Sequence, residues 1–424
     1  MSNCAIVGIN WGDEGKGRMV DLLTQDYDVV VRYQGGGNAG HTVVNEQGKF
    51  ALHLLPSGIF RKGVVNILGN GVALYCESLW AEITNVTGMG VSITPENLKI
   101  SDRASLLLPW HRDLDGLEEA RLKDKKYGST KQGIAPFYSD KYQKKTIMAG
   151  ELLYPDKLWD RLADILEWKN LILTKVYGAK PYTMDDMKAW VADYGEKIKP
   201  FICDTGAFLR KANKEGKSIL FEAQLGSLRD LDYGIYPMTT SSNPIAAYAP
   251  VGSGYPEAKI EKVVGVVKAY SSCVGEGPFT CEWFGEEAEK LRDAGAEYGA
   301  KTGRPRRVGP IDIVATRYGI QCQGATDIAL TKLDVLSYMD EIPVCAHYEL
   351  RGEQTDEFPF PSLLPEAKPV METLPGWKCD ISGVRKWEDL PKEARDYVEY
   401  VERQVGCRIT YVSVGPERDS IIIR

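Results

Sequence analysis

The feature that most restricts the fold lies at the start of the chain. CAIVGINWGDEGKGRMVDLL, residues 4–23, joins an apolar run (Cys4 to Asn10) to a helical stretch (Arg18 to Leu23) through the glycine-rich turn GDEGKG. A buried strand that turns directly into a helix is the opening of a βαβ unit, and such units build parallel sheets covered by helices. Similar β-branched runs follow: DVVVRY at 28–33, VVNILGNG at 64–71, SILFEA at 218–223, VVGVVKAY at 263–270 and DIALTKLDVL at 327–336. They are near-continuously apolar, as strands buried on both faces are. Amphipathic stretches at 156–172 and 183–202 alternate with them, the second opened by Thr183 as an N-cap before an acidic first turn. The chain end, GCRITYVSVGPERDSIIIR, reads as two strands joined by a turn at Gly415-Pro416-Glu417. The fold class expected is α/β.

With 424 residues the length fits several small domains or one large one, but no repeat, low-complexity tract or linker divides the chain. The Pro/Gly-rich stretches GGGNAGHT (35–42) and TGRPRRVGP (302–310) are short and flanked by regular structure, so they read as site loops. A net charge of −7 argues against a nucleic-acid binder. Nine scattered cysteines without a CxxC pair suit a reducing compartment better than a disulfide framework or a zinc site. The start lacks a basic segment followed by a long apolar one, and no stretch approaches the roughly 20 apolar residues of a membrane span. A cytoplasmic protein without nucleic-acid or membrane partners is expected.

Four short constellations could carry chemistry. In GDEGKG (12–17) the glycines free backbone N–H groups for an anion, the helix N-terminus adds its dipole, and Lys16 adds a charge. A Walker A loop needs four residues before its GK pair and Ser or Thr after it; this one has two, followed by Gly17. Read alone it is either a phosphate loop or a structural turn. In QGGGNAGHT (34–42), His41 is either structural or a proton donor beside a ligand. TKLD (331–334) ends an apolar strand; an Asp there accepts from both N1–H and the 2-amino group of guanine, or simply pairs with Lys332 in solvent. KTGRPRR (301–307) sets Arg304, Arg306 and Arg307 close together, as a carboxylate or phosphate site or as a solvated charge run.

Taken in order, these segments resemble the adenylosuccinate synthetase family. Its WGDEGKG, NAGHT, KAY-x-x-x-VG-x-GPF, TGRPRR and TKLDVL segments stand here at 11–17, 38–42, 268–279, 302–307 and 331–336. LHLLPSGIF (52–60), YPMTTSSN (236–243), LPGWK (374–378) and SVGPERD (413–419) also look like family segments, so the resemblance spans the chain. It implies one large domain over 1–424, P-loop-NTPase-like, whose mostly parallel central sheet is flanked by helices. A helical insertion at roughly 100–205 and small β subregions complete it. It implies a ligase that joins IMP and L-aspartate to adenylosuccinate with GTP, through 6-phosphoryl-IMP, in the first committed step of AMP synthesis.

The resemblance also implies residue roles. Asp13 would be the base, His41 the acid, and Lys16 would help neutralise phosphate. GTP would meet Gly12, Glu14, Gly15, Lys16, Gly17, Gly40, His41, Thr42, Lys332, Leu333, Asp334, Ser413, Val414 and Gly415; Glu14 has no chemical role of its own. IMP would meet Asp13, Asn38, Ala39, Ser129, Thr130, Lys144, Gln224, Leu225, Thr240, Val274 and Arg304. Aspartate would meet Ala300, Lys301, Thr302, Gly303, Arg304, Pro305 and Arg306. Magnesium would be held by Asp13 and the Gly40 carbonyl, and Lys144 would complete the partner's site in a homodimer.

Several positions depart from the family pattern. Lys144 and Cys273 stand where the family has arginine, and Lys301 where it has threonine. Ser129-Thr130-Lys131-Gln132 replaces a Thr-Thr-Gly-Arg type of segment. FEAQLG (221–226) replaces FEGAQG, putting Leu225 where the IMP-contacting glutamine sits and Gln224 one place early. These changes keep open the same chemistry on another purine monophosphate such as dGMP; a non-catalytic GTP-binding relative is a separate reading, whose signature would be loss of Asp13 or His41, and both are present.

Overall fold

A computed structural model describes residues 3–45, 48–299 and 303–424, with side chains for all of these except residues 41–45 and 49. Among the described residues, ten strands form the central sheet: β1 (Cys4–Gly8), β2 (Val29–Arg32), β3 (Val65–Leu68), β4 (Leu98–Ser101), β5 (Ile202–Cys203), β6 (Ile219–Gly226), β7 (Lys262–Lys268), β8 (Asp327–Thr331), β9 (Ile409–Ser413) and β10 (Ile421–Ile423). Their spatial order is β10-β9-β8-β7-β1-β6-β2-β3-β4-β5. Every neighbouring pair is parallel except β9 with β10, the hairpin expected at the chain end.

Both faces of this sheet are covered, which is why its strands read as apolar runs without alternation. In β1, Ala5 and Val7 join one buried cluster with Val29, Val31 and Phe221, while Cys4 and Ile6 join another with Val30, Leu220 and Val264. Each such Val, Ile or Leu contributes about 1.5–3 kcal/mol on burial. Between β4 and β5 the chain is helical, with helices Pro109–Leu122, Ile134–Tyr142, Pro155–Leu171 and Met184–Trp190. The stretch read as one helix over 183–202 is broken. Thr183 does cap it, accepting from Asp186 N–H, but after Trp190 the chain widens into a π-type turn at Val191–Gly195 and tightens again before Pro200. Proline cannot continue the ladder, so β5 follows at once. A smaller mixed sheet, Ile311–Asp312, Glu341–Leu350, Glu353–Thr355 and Lys368–Pro375, lies apart from the central one.

The topology decides where a site can form. β1 sits between β6 and β7; the chain reaches β2 to β5 on one side and β8 to β10 on the other. The loops leaving the carboxyl ends of β1, β2, β6, β7, β8 and β9 therefore share one edge of the sheet, at the point where strand order reverses.

Candidate active site

The loop after β1 is built around Glu14. Its carboxylate is buried; Oε1 accepts from Gly12 N–H at 2.7 Å and Asn10 N–H at 3.2 Å, and Oε2 accepts from Lys16 Nζ at 2.7 Å. Room for it comes from two glycines. A Cβ on Gly8 would stand 2.7 Å from Glu14 Oε2, and one on Gly226 would stand 2.8 Å from Oε1. Thr331 at the end of β8 donates its hydroxyl to the Glu14 carbonyl at 2.7 Å. The backbone is left-handed at Gly12, Asp13 and Gly15, and Gly15 caps the helix Lys16–Leu23. That geometry turns the Asp13 carboxylate outward, where it is exposed. The two acids thus have opposite places: Glu14 inside as a brace, Asp13 outside.

The loop after β2 (34–40) is held by Gln224. Gln224 Oε1 accepts from Gly36 N–H at 3.0 Å, and Nε2 donates to the carbonyls of Gly36, Ala39 and His53 at 2.8–3.1 Å. Its amide is committed to the loop, and the half-buried side chain facing Gly12 is that of Leu225, left-handed at φ 60°. Gly40 packs against the His53 imidazole. His41 continues as an extended strand, His41–Asn45, paired with Gly48–Leu52; the side chains of His41 and Thr42 lie outside the described residues.

The segment expected to meet the monophosphate is tied to both neighbours. Ser129 Oγ donates to Asp115 at 2.5 Å, Thr130 is exposed, and Gly128 lies against Glu276 in the turn after β7. Gln132 stands near Gly37. Thr240 is buried, its N–H bonded to the Arg229 carbonyl at 2.8 Å. The Arg229 guanidinium reaches the carbonyls of Met238, Val274 and Glu276, and the Cys273 sulfur at 3.0 Å. Thr240 and Val274 are therefore held by one residue, Thr240 through the Arg229 carbonyl and Val274 through its guanidinium. Lys144 is exposed on a left-handed turn after helix Ile134–Tyr142.

On the other side of β1, Lys332 is left-handed and starts the 3-10 turn Leu333–Tyr338. Burial pushes the Asp334 carboxyl above its ordinary value, against the pull of Lys332 and Arg18. Arg18, next to the glycine loop, donates to Ser413 Oγ at 2.6 Å and to the carbonyls of Gly415 and Glu417. One guanidinium thus ties the helix start to the 413–417 turn beside Asp334.

The basic loop joins the two halves. Arg306 Nη2 pairs with Asp13 Oδ2 at 2.9 Å, and Nη1 donates to Glu297 Oε2 at 2.8 Å. Glu297 Oε1 accepts from Lys268 Nζ at 2.7 Å, Lys332 Nζ at 2.8 Å and the Tyr270 hydroxyl at 2.5 Å. Burial would raise the Glu297 carboxyl, but Lys268 and Lys332 overcome it and hold it well below the usual range. Burial draws Lys268 down to about 8. Arg304 is exposed and pairs with Glu276 at 3.5 Å. Arg307 forks onto Glu282 and donates to the Gly277 carbonyl at 2.7 Å, so this third guanidinium of the loop has a structural acid as its partner. Gly303 and Pro305 line the same loop; Ala300, Lys301 and Thr302 lie outside the described residues.

Sequence reasoning missed Glu297, Arg18 and Arg229. Arg18 adjoins a loop that was read, and Arg229 follows FEAQLG closely. Glu297 sits in AGAEYG, where nothing but the nearby basic loop marks it.

The family model of adenylosuccinate synthetase matches residues 5–422. The adenylosuccinate synthetase of Streptococcus gordonii is 45% identical over 420 residues, covering 99% of this chain and 97% of its own. That of Bifidobacterium adolescentis is 45% identical over 423 residues, covering 100% and 98%. The fully ligated adenylosuccinate synthetase from Plasmodium falciparum superposes with a TM-score of 0.93 at 34% identity, covering both chains completely. The cyanophage S-2L succinoaminodeoxyadenylate synthetase, bound to dGMP and dATP, shares the fold at a TM-score of 0.64 and 20% identity, over 100% of this chain and 95% of that one. This chain belongs to the adenylosuccinate synthetase family: it is a ligase that joins IMP and L-aspartate into adenylosuccinate with GTP.

Proposed function

We propose that the loops at the carboxyl edge of the sheet divide the reaction as follows. Asp13 takes the N1 proton of IMP, and O6 attacks the γ-phosphorus of GTP; the O6–P bond forms as the bond to the β-phosphate oxygen breaks, releasing GDP. The aspartate amine then adds at C6 and loses a proton, and the C6–O bond breaks to release phosphate. A purine oxygen is a poor nucleophile until deprotonated and a poor leaving group until phosphorylated, so the order is dictated chemically. Phosphoryl transfer then needs mainly alignment and charge neutralisation.

The observation that carries this reading is the contact of Asp13 with Arg306, which sets the base of one loop against the amino-acid ligand of another. Gly12, Gly15, Lys16 and Gly17 cradle phosphate at the start of the helix. Lys332, Leu333, Asp334, Ser413, Val414 and Gly415 receive guanine. Asn38, Ala39, Ser129, Thr130, Thr240, Val274 and Arg304 surround IMP, with Leu225 as an apolar wall and Gln224 acting through the 34–40 loop. Arg304 and Arg306, with residues 300–303 and Pro305, receive aspartate, and His41 faces the transferred group. An exposed Asp13 carboxylate and the Gly40 carbonyl are hard oxygen donors that fit magnesium, which would neutralise phosphate charge. We read residues 1–424 as one domain, because strands from both ends of the chain complete one sheet. In a homodimer, exposed Lys144 would reach the partner's site.

The test is to incubate the protein with GTP, aspartate and either IMP or dGMP, following the product's absorbance. Adenylosuccinate from IMP is expected; product from dGMP alone overturns the IMP assignment, and nucleotide binding without product from either overturns catalysis. General-base catalysis contributes typically 10²–10⁴-fold. Asp13→Asn should lose at least that range in kcat with GTP binding within a few-fold, and a near-normal rate removes Asp13 as the base.

A further inference from the structure

Glu297 has no exposure and belongs to none of the segments that mark the site in sequence. It nevertheless accepts from four donors in separate parts of the chain. Lys268 ends β7, Tyr270 follows it, Lys332 opens the turn after β8, and Arg306 belongs to the basic loop. The Glu297 carbonyl also accepts from Arg306 N–H at 2.9 Å, so the arginine is fixed by backbone as well as side chain. Lys268 has a second partner, Ser272 Oγ at 2.6 Å, and Lys332 a second, the Gly295 carbonyl at 2.6 Å. Arg306 has Asp13.

Three cations thus meet at one buried carboxylate. Packing alone would be served by one partner, whereas here the two oxygens are divided between two functions. Oε1 fixes the ammonium of Lys332, leaving its carbon stem, on a left-handed backbone, to lie along a base. Oε2 fixes Arg306 in the position from which it reaches Asp13. Removing the negative charge would leave Lys268, Lys332 and Arg306 repelling one another in a water-poor setting, and each would move.

We infer that Glu297 is a positioning residue that links the guanine pocket to the aspartate site, holding Lys332 through one carboxylate oxygen and Arg306 through the other. The inference rests on the roles proposed above for Lys332, Asp334 and Arg306. It makes the two substrates interdependent: a change at Glu297 disturbs the fit of GTP and of aspartate together, although no atom of Glu297 needs to touch either. Most of the groups proposed to meet IMP, in the 34–40, 129–130 and 240 segments, make no contact with Glu297, so IMP is disturbed least.

The experiment is steady-state kinetics on the full chain with Glu297→Gln, Glu297→Asp and Arg306→Leu, each checked for folding by circular dichroism. E297Q should raise the KM for both GTP and aspartate by tenfold or more, with the KM for IMP within threefold. E297D, which keeps the charge on a shorter arm, should raise the same two values by a smaller factor of at least threefold, and it carries the test if E297Q does not fold. A rise in only one of the two, an equal rise in all three, or no rise in either variant overturns the inference. R306L separates this failure from failure of the underlying assignment. If R306L leaves the KM for aspartate unchanged, the aspartate site is misplaced; if R306L raises it and the Glu297 variants do not, only the role of Glu297 falls.

Discussion

Glu14→Gln is the change that most directly tests how the phosphate loop is built. The side chains of Glu14 and Lys16 are only 3% and 10% exposed, and their ion pair at 2.7 Å is the loop's internal brace. A glutamine can keep its oxygen toward Gly12 and Asn10 N–H, but its NH2 then faces the Lys16 ammonium, donor against donor. Stranding one member of a buried pair costs about 3–5 kcal/mol. The two backbone bonds also lose charge assistance, about 1 kcal/mol each. Lys16 can swing its flexible stem outward and recover part of this, so about 3–5 kcal/mol is the expected total. The assay is urea unfolding followed by fluorescence, with and without saturating GTP. Without nucleotide the E14Q midpoint should fall by the equivalent of that energy. GTP should then shift the variant more than the parent, because the triphosphate supplies Lys16 with a new partner. Thr331→Val is the scale marker, removing one hydroxyl bond to the Glu14 carbonyl for about 1 kcal/mol. An E14Q protein within about 1 kcal/mol of the parent refutes the brace, and so does an equal GTP shift in both.

Other consequences follow from the same geometry. Arg18→Lys replaces a fork that reaches Ser413, Gly415 and Glu417 by a point charge. It should raise the KM for GTP about tenfold, some 1.4 kcal/mol, with kcat little changed; an unchanged KM removes Arg18 from the pocket. Asp334→Asn exchanges an acceptor for an amide donor, so GTP should weaken about a hundredfold while xanthosine triphosphate, which has an oxygen at the 2-position, gains; loss of both equally would mean a collapsed pocket. For Glu297 the folded carboxyl lies below its ordinary value, because Lys268 and Lys332 override the opposing effect of burial. The unfolded chain therefore binds more protons, and stability supplied by this group is fully present above the ordinary glutamate value and lost as pH falls through and below it. Urea midpoints of the parent and E297Q should converge as pH drops from 5 to 3, and a constant difference contradicts the sign.

The central sheet was legible because covered parallel strands need unbroken apolar runs, and nothing else in the chain looks like them. Every run read as a strand contributes to that sheet, including DIALT; its continuation DVL does not, since left-handed Lys332 ends the strand and starts a 3-10 turn. The short strand β5 and the mixed sheet were less legible: two residues of pairing leave no periodicity, and an alternating edge such as Lys368–Pro375 looks like polar loop. The break in the 183–202 helix was missed because apolar spacing is insensitive to one widened turn.

The site was legible to a different depth. Groups proposed to meet substrate sit on glycine-rich loops at strand ends, and composition marks such loops. Groups that hold those loops do not share this signature. Gln224 was expected at IMP; its amide bonds the 34–40 loop, and left-handed Leu225 is the side chain toward Gly12. Arg307 looked like a third anion ligand until Glu282, 25 residues earlier, proved to be its partner. Glu14 and Glu297 are the sharper cases: both are buried carboxylates, Glu14 held by donors of its own loop and Glu297 by donors that arrive from elsewhere in the chain. A buried acid needs its cations at hand, since burial without them would neutralise it; Glu14 finds Lys16 two residues on, whereas only the folded order of β7, β1 and β8 gathers the cations of Glu297. The opening loop carries two acids for this reason. The exposed one faces the basic loop, where it pairs with Arg306, and the buried one keeps the loop in the shape that holds it there.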